Sequence, residues 1–108
     1  MVTKVINLAK EFSSTPAGRF SDDGDYSGER FREEFLAPAL KDNGNDKVEI
    51  ILDGLEGVWS SFWEEAFGGL IREEKASSEI VKKKMVLQCQ DDDTLVPLIQ
   101  NYLNRASK

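Results

Sequence analysis

Apolar residues along the chain alternate between closely spaced runs, typical of strands, and wider helical spacings. The strand-like runs are residues 4–12 (KVINLAKEF), 47–55 (KVEIILDGL) and 85–90 (MVLQCQ). The second run is apolar almost without a break, which predicts a strand buried on both faces of a sheet.

Helical spacing follows each strand-like run. Ser27 can cap a helix through GERFREEFLAPAL, in which Phe31 and Phe35 share one side. Pro38 lacks an N–H group, so this helix is expected to end or kink near Leu36. ASSEIVKKK is a short helical turn, and two further helices follow the second and third strands. The predicted core is Ile50, Leu52, Trp63, Phe67, Leu70, Val86 and Leu98.

The order of these segments is strand, long loop, helix, strand, helix, strand, helix. Such alternation predicts an α/β fold with a small mixed β-sheet and helices packed on it. At 108 residues the chain has the size of one domain, so we expect a single domain over residues 1–108.

Composition narrows the possible functions. The net charge of −6 argues against a nucleic acid partner, because such proteins neutralise phosphates with basic residues. The chain has no histidine and one cysteine, Cys89, so we expect no metal site and no cofactor. No apolar run approaches the roughly 20 residues that span a membrane, which predicts a cytoplasmic protein. Cys89 fits either a buried strand residue or a reactive thiol.

Two adjacent serines stand where the second predicted helix begins, in EGVWSSFWEEAFGGL. Ser61 and Glu64 have the S-x-x-E spacing of a capping box, which predicts a structural role for Ser61. That role leaves Ser60 unexplained. A hydroxyl at a helix start is suited to phosphorylation, because the backbone N–H groups and the helix dipole favour added negative charge. Ser60 is therefore the candidate phosphoacceptor, with Ser61 as second choice.

The loop of residues 17–28 is a second candidate site. Arg19, Asp25, Ser27 and Gly28 combine polar groups with a helix start. These residues fit a salt-bridged, capped surface loop. They also fit a nucleotide or anion site, with Arg19 as phosphate ligand and the N–H groups after Ser27 as its cradle.

Several of these motifs occur together in a known family. The Gly-Arg loop, the Ser-Gly-x-x-Phe helix start and the block SSFWEEAFGG resemble the bacterial STAS-like domains of unknown function, over Val5 to about Glu73. That family is in turn similar to the anti-sigma factor antagonists. Those proteins change partners when a serine at the start of the helix after a central strand is phosphorylated.

The resemblance implies a STAS-like fold and places the phosphoacceptor on Ser60. This chain has Trp59 where the antagonists carry aspartate and Phe62 where they carry glycine. The implied function is a non-enzymatic regulatory domain that binds a protein partner, a serine-kinase-like ATPase being the implied kind.

The residues themselves favour the same class over an enzyme. Glu64 and Glu65 are adjacent on a helix, so they point about 100° apart and do not form an acid–base pair. We therefore predict no catalytic residues. The alternative function is a small-molecule or nucleotide-binding module that uses the loop of residues 17–28.

Overall fold

The computed structural model describes residues 4–42, 44, 46–56, 58, 60–74 and 78–106. Its strands are β1 (Lys4–Asn7), β2 (Val48–Ile51) and β3 (Met85–Gln88), which form a three-stranded sheet in the order β1-β2-β3. Both pairings are parallel, with Lys4 beside Val48 and Val48 beside Met85. Over these described residues the sheet is parallel, where the sequence predicted a mixed one.

Five helices accompany the sheet in the described part of the chain. Helix α1 is Leu8–Glu11, α4 is Ser78–Lys84 and α5 is Leu95–Ala106. Helix α2 runs continuously over residues 28–41, and its middle turn, Arg32–Leu36, is π-helical. Helix α3 covers residues 60–72 and also has a π-helical turn, Glu64–Gly68. A short 3₁₀ turn, Ser21–Asp23, lies in the long loop before α2.

The first strand is shorter than predicted. Residues 8–11 are helical, because the side chain of Asn7 caps them by accepting a hydrogen bond from the Lys10 N–H at 3.2 Å. Glu11 returns the bond by accepting from the Asn7 N–H at 2.7 Å. This reciprocal cap starts a helix where the apolar pattern alone indicated a continuing strand.

Helix α2 begins as predicted and continues past Pro38. Ser27 caps it by accepting a hydrogen bond from the Arg30 N–H at 3.2 Å. Near Leu36 the helix widens instead of ending, and the Ala37 N–H bonds to the Arg32 carbonyl, five residues back. A proline ring clashes with the carbonyl four residues earlier, and a π-helical turn relieves that clash.

The hydrophobic core lies between one face of the sheet and the helices. Of the predicted core, Ile50, Leu52, Trp63, Phe67 and Leu70 are all buried. The prediction was wrong for two residues. Leu98 is 37% exposed because α5 turns its neighbour Ile99 inward, and Val86 lies on the opposite face of the sheet.

No helix in the described part of the chain covers the second face of the sheet, contrary to the prediction for β2. Val48 and Ile50 are buried, but Glu49 and Ile51 point to the other side and are half-buried. On that side Val5 is 44% exposed. The order β1-β2-β3 explains this, because right-handed crossovers that step in one direction across a sheet place their helices on the same face.

Among the described residues, no helix is both long enough and apolar enough to cross a bilayer.

Candidate functional site

The candidate site is built around the start of α3. Ser60 is the first residue of this helix and is exposed, whereas Ser61 is half-buried. The helix follows β2, so Ser60 comes after the carboxyl end of the central parallel strand. Ligand and regulatory sites of open α/β sheets commonly lie at this end of the strands.

The predicted capping box between Ser61 and Glu64 is not formed. Ser61 lies inside the helix, one residue after its start, whereas a capping residue stands just outside it. The carboxylate of Glu64 instead accepts hydrogen bonds from Arg19 and Arg72. Ion pairs with Arg19 and Arg72 therefore replace the predicted bond to the backbone.

One of the two departures from the antagonist motif has a structural explanation. The side chain of Phe62 is fully buried in the core, so it does not cover the surface next to Ser60. Its ring lies 6.1 Å from that of Phe31 on α2, measured between centroids. The other departure, Trp59, falls outside the described residues.

Charged side chains along α3 form one network, which we call the ionic cluster: Arg19, Arg32, Glu64, Glu65, Arg72 and Glu74. Its outer part is Glu64 with Arg19 from the long loop and Arg72 from the last turn of α3. The hydrogen bonds that these two arginines donate to Glu64 raise the pKa of both. Burial alone would raise the pKa of Glu64, but the bonds from Arg72 and Arg19 outweigh it and lower that pKa.

The inner part of the ionic cluster is buried. Arg32 and Glu65 are each 3% exposed, and the Arg32 Nη1 lies 2.5 Å from the Glu65 Oε2. The same nitrogen donates to the Glu65 carbonyl at 3.0 Å, and the Arg32 Nε lies 3.2 Å from the Glu74 Oε2. Burial would lower the pKa of Arg32, but its bonds to Glu65 and Glu74 raise it. The charged form of Arg32 is therefore the stable one.

Two glycines make room for this arrangement. Gly28 lies against the α3 backbone, where an added Cβ would stand 2.6 Å from the Phe62 carbonyl oxygen. Gly69 lies directly under the guanidinium of Arg32, where a Cβ would collide with Nη1. In the Gly-Gly pair of α3, Gly69 thus permits a close approach between α2 and α3.

The loop of residues 17–28 does not form the predicted anion cradle. The N–H groups of Gly28 and Glu29 donate to the carbonyls of Gly18 and Arg19, at 3.0 and 2.9 Å. The Arg30 N–H donates to the side chain of Ser27, which is fully buried. The donors at the start of α2 are therefore already satisfied within the protein and leave none for a phosphate.

The other predicted residues of that loop also have partners. Arg19 is bound to Glu64 and Glu65, and the carbonyl of Asp25 accepts a hydrogen bond from the Arg30 side chain at 2.6 Å. Of the two readings left open, the salt-bridged and capped loop is the one that the structure supports.

A second cluster lies at the carboxyl ends of β2 and β3. Ligand atoms of Asp53, Cys89 and Asp91 all lie within 4.8 Å of one another. The two carboxylates accept backbone hydrogen bonds, Asp53 from Gln90 at 2.6 Å and Asp91 from Gly54 at 2.9 Å. They thus tie together the two loops that leave the sheet.

Cys89 was expected to be either a buried strand residue or a reactive thiol. It is half-buried and lies one residue past the end of β3. Burial and a hydrogen bond to Asp91 raise its pKa to about 11. The thiol is therefore protonated near neutral pH, which disfavours nucleophilic reactivity.

Fold and site together define a small parallel α/β domain with helices on one face and a serine at the start of the helix after its central strand. Residues 27–94 match the family described as STAS-like domain of unknown function (DUF4325). The chain belongs to this family, as the sequence motifs indicated. Neither the curated proteins nor the solved structures contain a match.

Sequence reasoning missed most of the ionic cluster. It singled out Arg19 and Glu64 for other roles and gave no role to Arg32, Arg72 or Glu74. A signal was nevertheless present, because the block EEAFGG pairs two acids with glycines that admit a large neighbour. Arg32 and Arg19 stand 33 and 46 residues away from Glu65, so no local spacing reveals their pairing with it.

Proposed function

We propose that this chain is a non-enzymatic protein-interaction domain that changes partner when Ser60 is phosphorylated. The observation that carries the proposal is the position of Ser60, exposed and one helical turn before Glu64, the residue that holds Arg19. Side chains four residues apart on a helix lie about 5–6 Å apart at Cβ. A phosphate on Ser60 would thus be within reach of Arg19.

Phosphorylation would change the charge balance at this point. The γ-phosphoryl group of ATP would pass to the Ser60 Oγ, with loss of the hydroxyl proton and release of ADP. The product carries about −1.5 to −2 charges and three acceptor oxygens. The start of a helix accommodates such a group, because its N–H groups and dipole favour negative charge.

The phosphate would then compete with Glu64 for Arg19. The side chain of Arg19 is 36% exposed, so the phosphate can approach it from solvent. Glu64 would keep Arg72 as its partner, which lowers the cost of releasing Arg19. Arginine and phosphate form strong, charge-assisted hydrogen bonds, which favours the exchange.

The replacement of Glu64 by the phosphate as partner of Arg19 would change the protein surface through the loop of residues 17–28. The backbone N–H of Arg19 donates to Asp23 at 3.1 Å, and its carbonyl accepts from Glu29. Movement of Arg19 therefore alters the loop that covers the start of α2. The partner we propose is a serine-kinase-like ATPase that binds this loop and the start of α3.

Phosphorylation by candidate serine-kinase-like ATPases of the source organism tests the proposal. We expect intact-mass analysis to show one added phosphate on wild type and on Ser61→Ala, and none on Ser60→Ala. The modified chain is expected to bind the ATPase at least about tenfold more weakly, because added negative charge at the interface repels an acidic partner. Phosphate on Ser61, or equal binding before and after modification, would refute it.

A further inference from the structure

Both outer strands of the sheet have an unpaired edge in the part of the chain that the structure describes. The order β1-β2-β3 leaves the far side of β1 and the far side of β3 without a neighbouring strand. An exposed edge presents free N–H and C=O groups that can pair with another chain.

The free edge of β3 borders a groove of about 270 Å³, which we call the β3 groove. Its floor is apolar and is formed by Met85, Leu87 and Leu103. The charged residue in its lining is Lys82, which belongs to a basic run at the end of α4. Helix α5, which forms the opposite wall, contains Arg105 and no acidic residue. The β3 groove is therefore basic in a chain whose net charge is −6.

The free edge of β1 borders a groove of about 380 Å³, the β1 groove. Ile6 and Phe35 provide its apolar surface. Three acids, Glu11, Glu34 and Asp42, line it together with one base, Lys4. The β1 groove is therefore acidic, opposite in sign to the β3 groove.

The two grooves lie on the same side of the sheet. Ile6 points toward the core from β1, as Met85 and Leu87 do from β3, so both grooves open between an edge strand and the helix layer. Because all strands are parallel, β1 of one copy placed beside β3 of another continues a parallel sheet. The helix layers of the two copies would continue as well.

We propose that a second copy of this chain docks its β1 edge, with the acidic β1 groove, against the basic β3 groove and β3 edge of the first. The peptide groups that point outward from β3 and β1 restrict how the two edge strands can pair. The Leu52 N–H donates to the Gln88 carbonyl, so the peptide groups of Gln88 face β2 and those of Leu87 face outward. The Lys4 N–H donates to Lys47, so Val5 faces outward on β1.

Among the registers that this alternation permits, the one we propose places Ile6 of one copy beside Leu87 of the other. Val5 can then accept a hydrogen bond from Leu87 and donate one to Met85. Contact through the open faces of two sheets is disfavoured, because Glu49 stands at the centre of each. The contact uses two different surfaces of the chain, so association is open-ended rather than limited to a dimer.

Sedimentation velocity over a wide concentration range tests the proposal on the full chain. We expect the average mass to rise with concentration beyond that of a dimer. It should fall when salt is added, because screening weakens the attraction between the acidic β1 groove and the basic β3 groove. A monomer at millimolar concentration, or association that salt does not weaken, would overturn the proposal.

Charge exchange identifies the two surfaces. Lys82→Glu should weaken association by about tenfold or more, because it makes both grooves acidic. Glu34→Lys should also weaken association, because it leaves two acids and two bases in the β1 groove and so removes its attraction for the β3 groove. The double variant should recover part of the association that Lys82→Glu loses, because its β1 groove no longer repels an acidic β3 groove. Glu56→Lys, an exposed site outside both grooves, changes net charge as Glu34→Lys does and should have no effect. If the single variants associate like wild type, or the double variant does not recover, the assignment is wrong. Binding of an acidic extended peptide to the β3 edge of a chain that stays monomeric would also overturn it.

Discussion

Replacement of Glu65 by glutamine should destabilise the protein far more than loss of an ordinary ion pair. Glu65 and Arg32 are each 3% exposed, and removal of one member of a buried pair costs about 3–5 kcal/mol, because the remaining charge stays buried. Arg32 keeps two partners, Glu74 at 3.2 Å and the Glu65 carbonyl at 3.0 Å. We therefore expect a loss of about 2–3 kcal/mol in the free energy of unfolding, just below that range.

Glu34→Gln is the matched control. Glu34 pairs with Arg30 at 2.8 Å, but both side chains are exposed, at 52% and 41%. Such pairs on a helix contribute about 0.3–0.5 kcal/mol. Both variants change one glutamate of α2 or α3 to its uncharged isostere, so the difference between them reports burial.

Urea unfolding followed by tryptophan fluorescence measures both variants, because Trp63 is buried in the core. If Glu65→Gln and Glu34→Gln agree within about 0.5 kcal/mol, the buried pair does not stabilise the fold as we describe. A double variant, Arg32→Met with Glu65→Leu, should recover most of the loss, because it leaves no unpaired charge in the interior.

Three further predictions concern stability. Phe67→Ala should cost about 3–5 kcal/mol in unfolding free energy, because the ring is fully buried, and a denaturation midpoint like that of a surface variant would contradict this. Ser61→Ala should change the free energy of unfolding by less than about 0.5 kcal/mol, since Ser61 is not the cap. A loss above about 1 kcal/mol would show that Ser61 does cap the helix and would contradict this. Glu64 has a lowered pKa, so its stabilisation is present above the ordinary glutamate value of 4.5 and is lost as pH falls through the folded-state pKa. Glu64→Gln should therefore lose less stability than wild type in acid titrations, and equal losses would contradict the ion pairs.

Local patterns in the sequence predicted those parts of the fold that depend on neighbouring residues. The predictions of the Ser27 cap and of the buried face of α3 were correct for this reason. The β2 prediction failed because an apolar run does not reveal which face the helices cover, and the order of the strands decides that. Val86 was assigned to the core for the same reason.

The candidate site was predictable only in part. Ser60 was found through its position at the helix start and through the family resemblance, and the structure shows that it is exposed. The Ser61–Glu64 motif was overridden by Arg19 and Arg72, because two charged partners bind a carboxylate more strongly than one backbone N–H. The π-helical turns that carry Arg32, Glu64 and Glu65 have no signal in the apolar pattern beyond Pro38 and the glycines.

Titration of a phosphate on Ser60 tests the proposed switch most directly. The chain would be made with phosphoserine at position 60, and ³¹P NMR would follow the second ionisation, whose ordinary pKa is about 6. Capture of Arg19 predicts a pKa below that value in the otherwise unchanged chain and a return toward it in Arg19→Gln. The control Arg105→Gln should behave like the unchanged chain, because Arg105 lies on α5 and packs on Tyr102. The same phosphate pKa with and without Arg19 would contradict the exchange of Glu64 for phosphate.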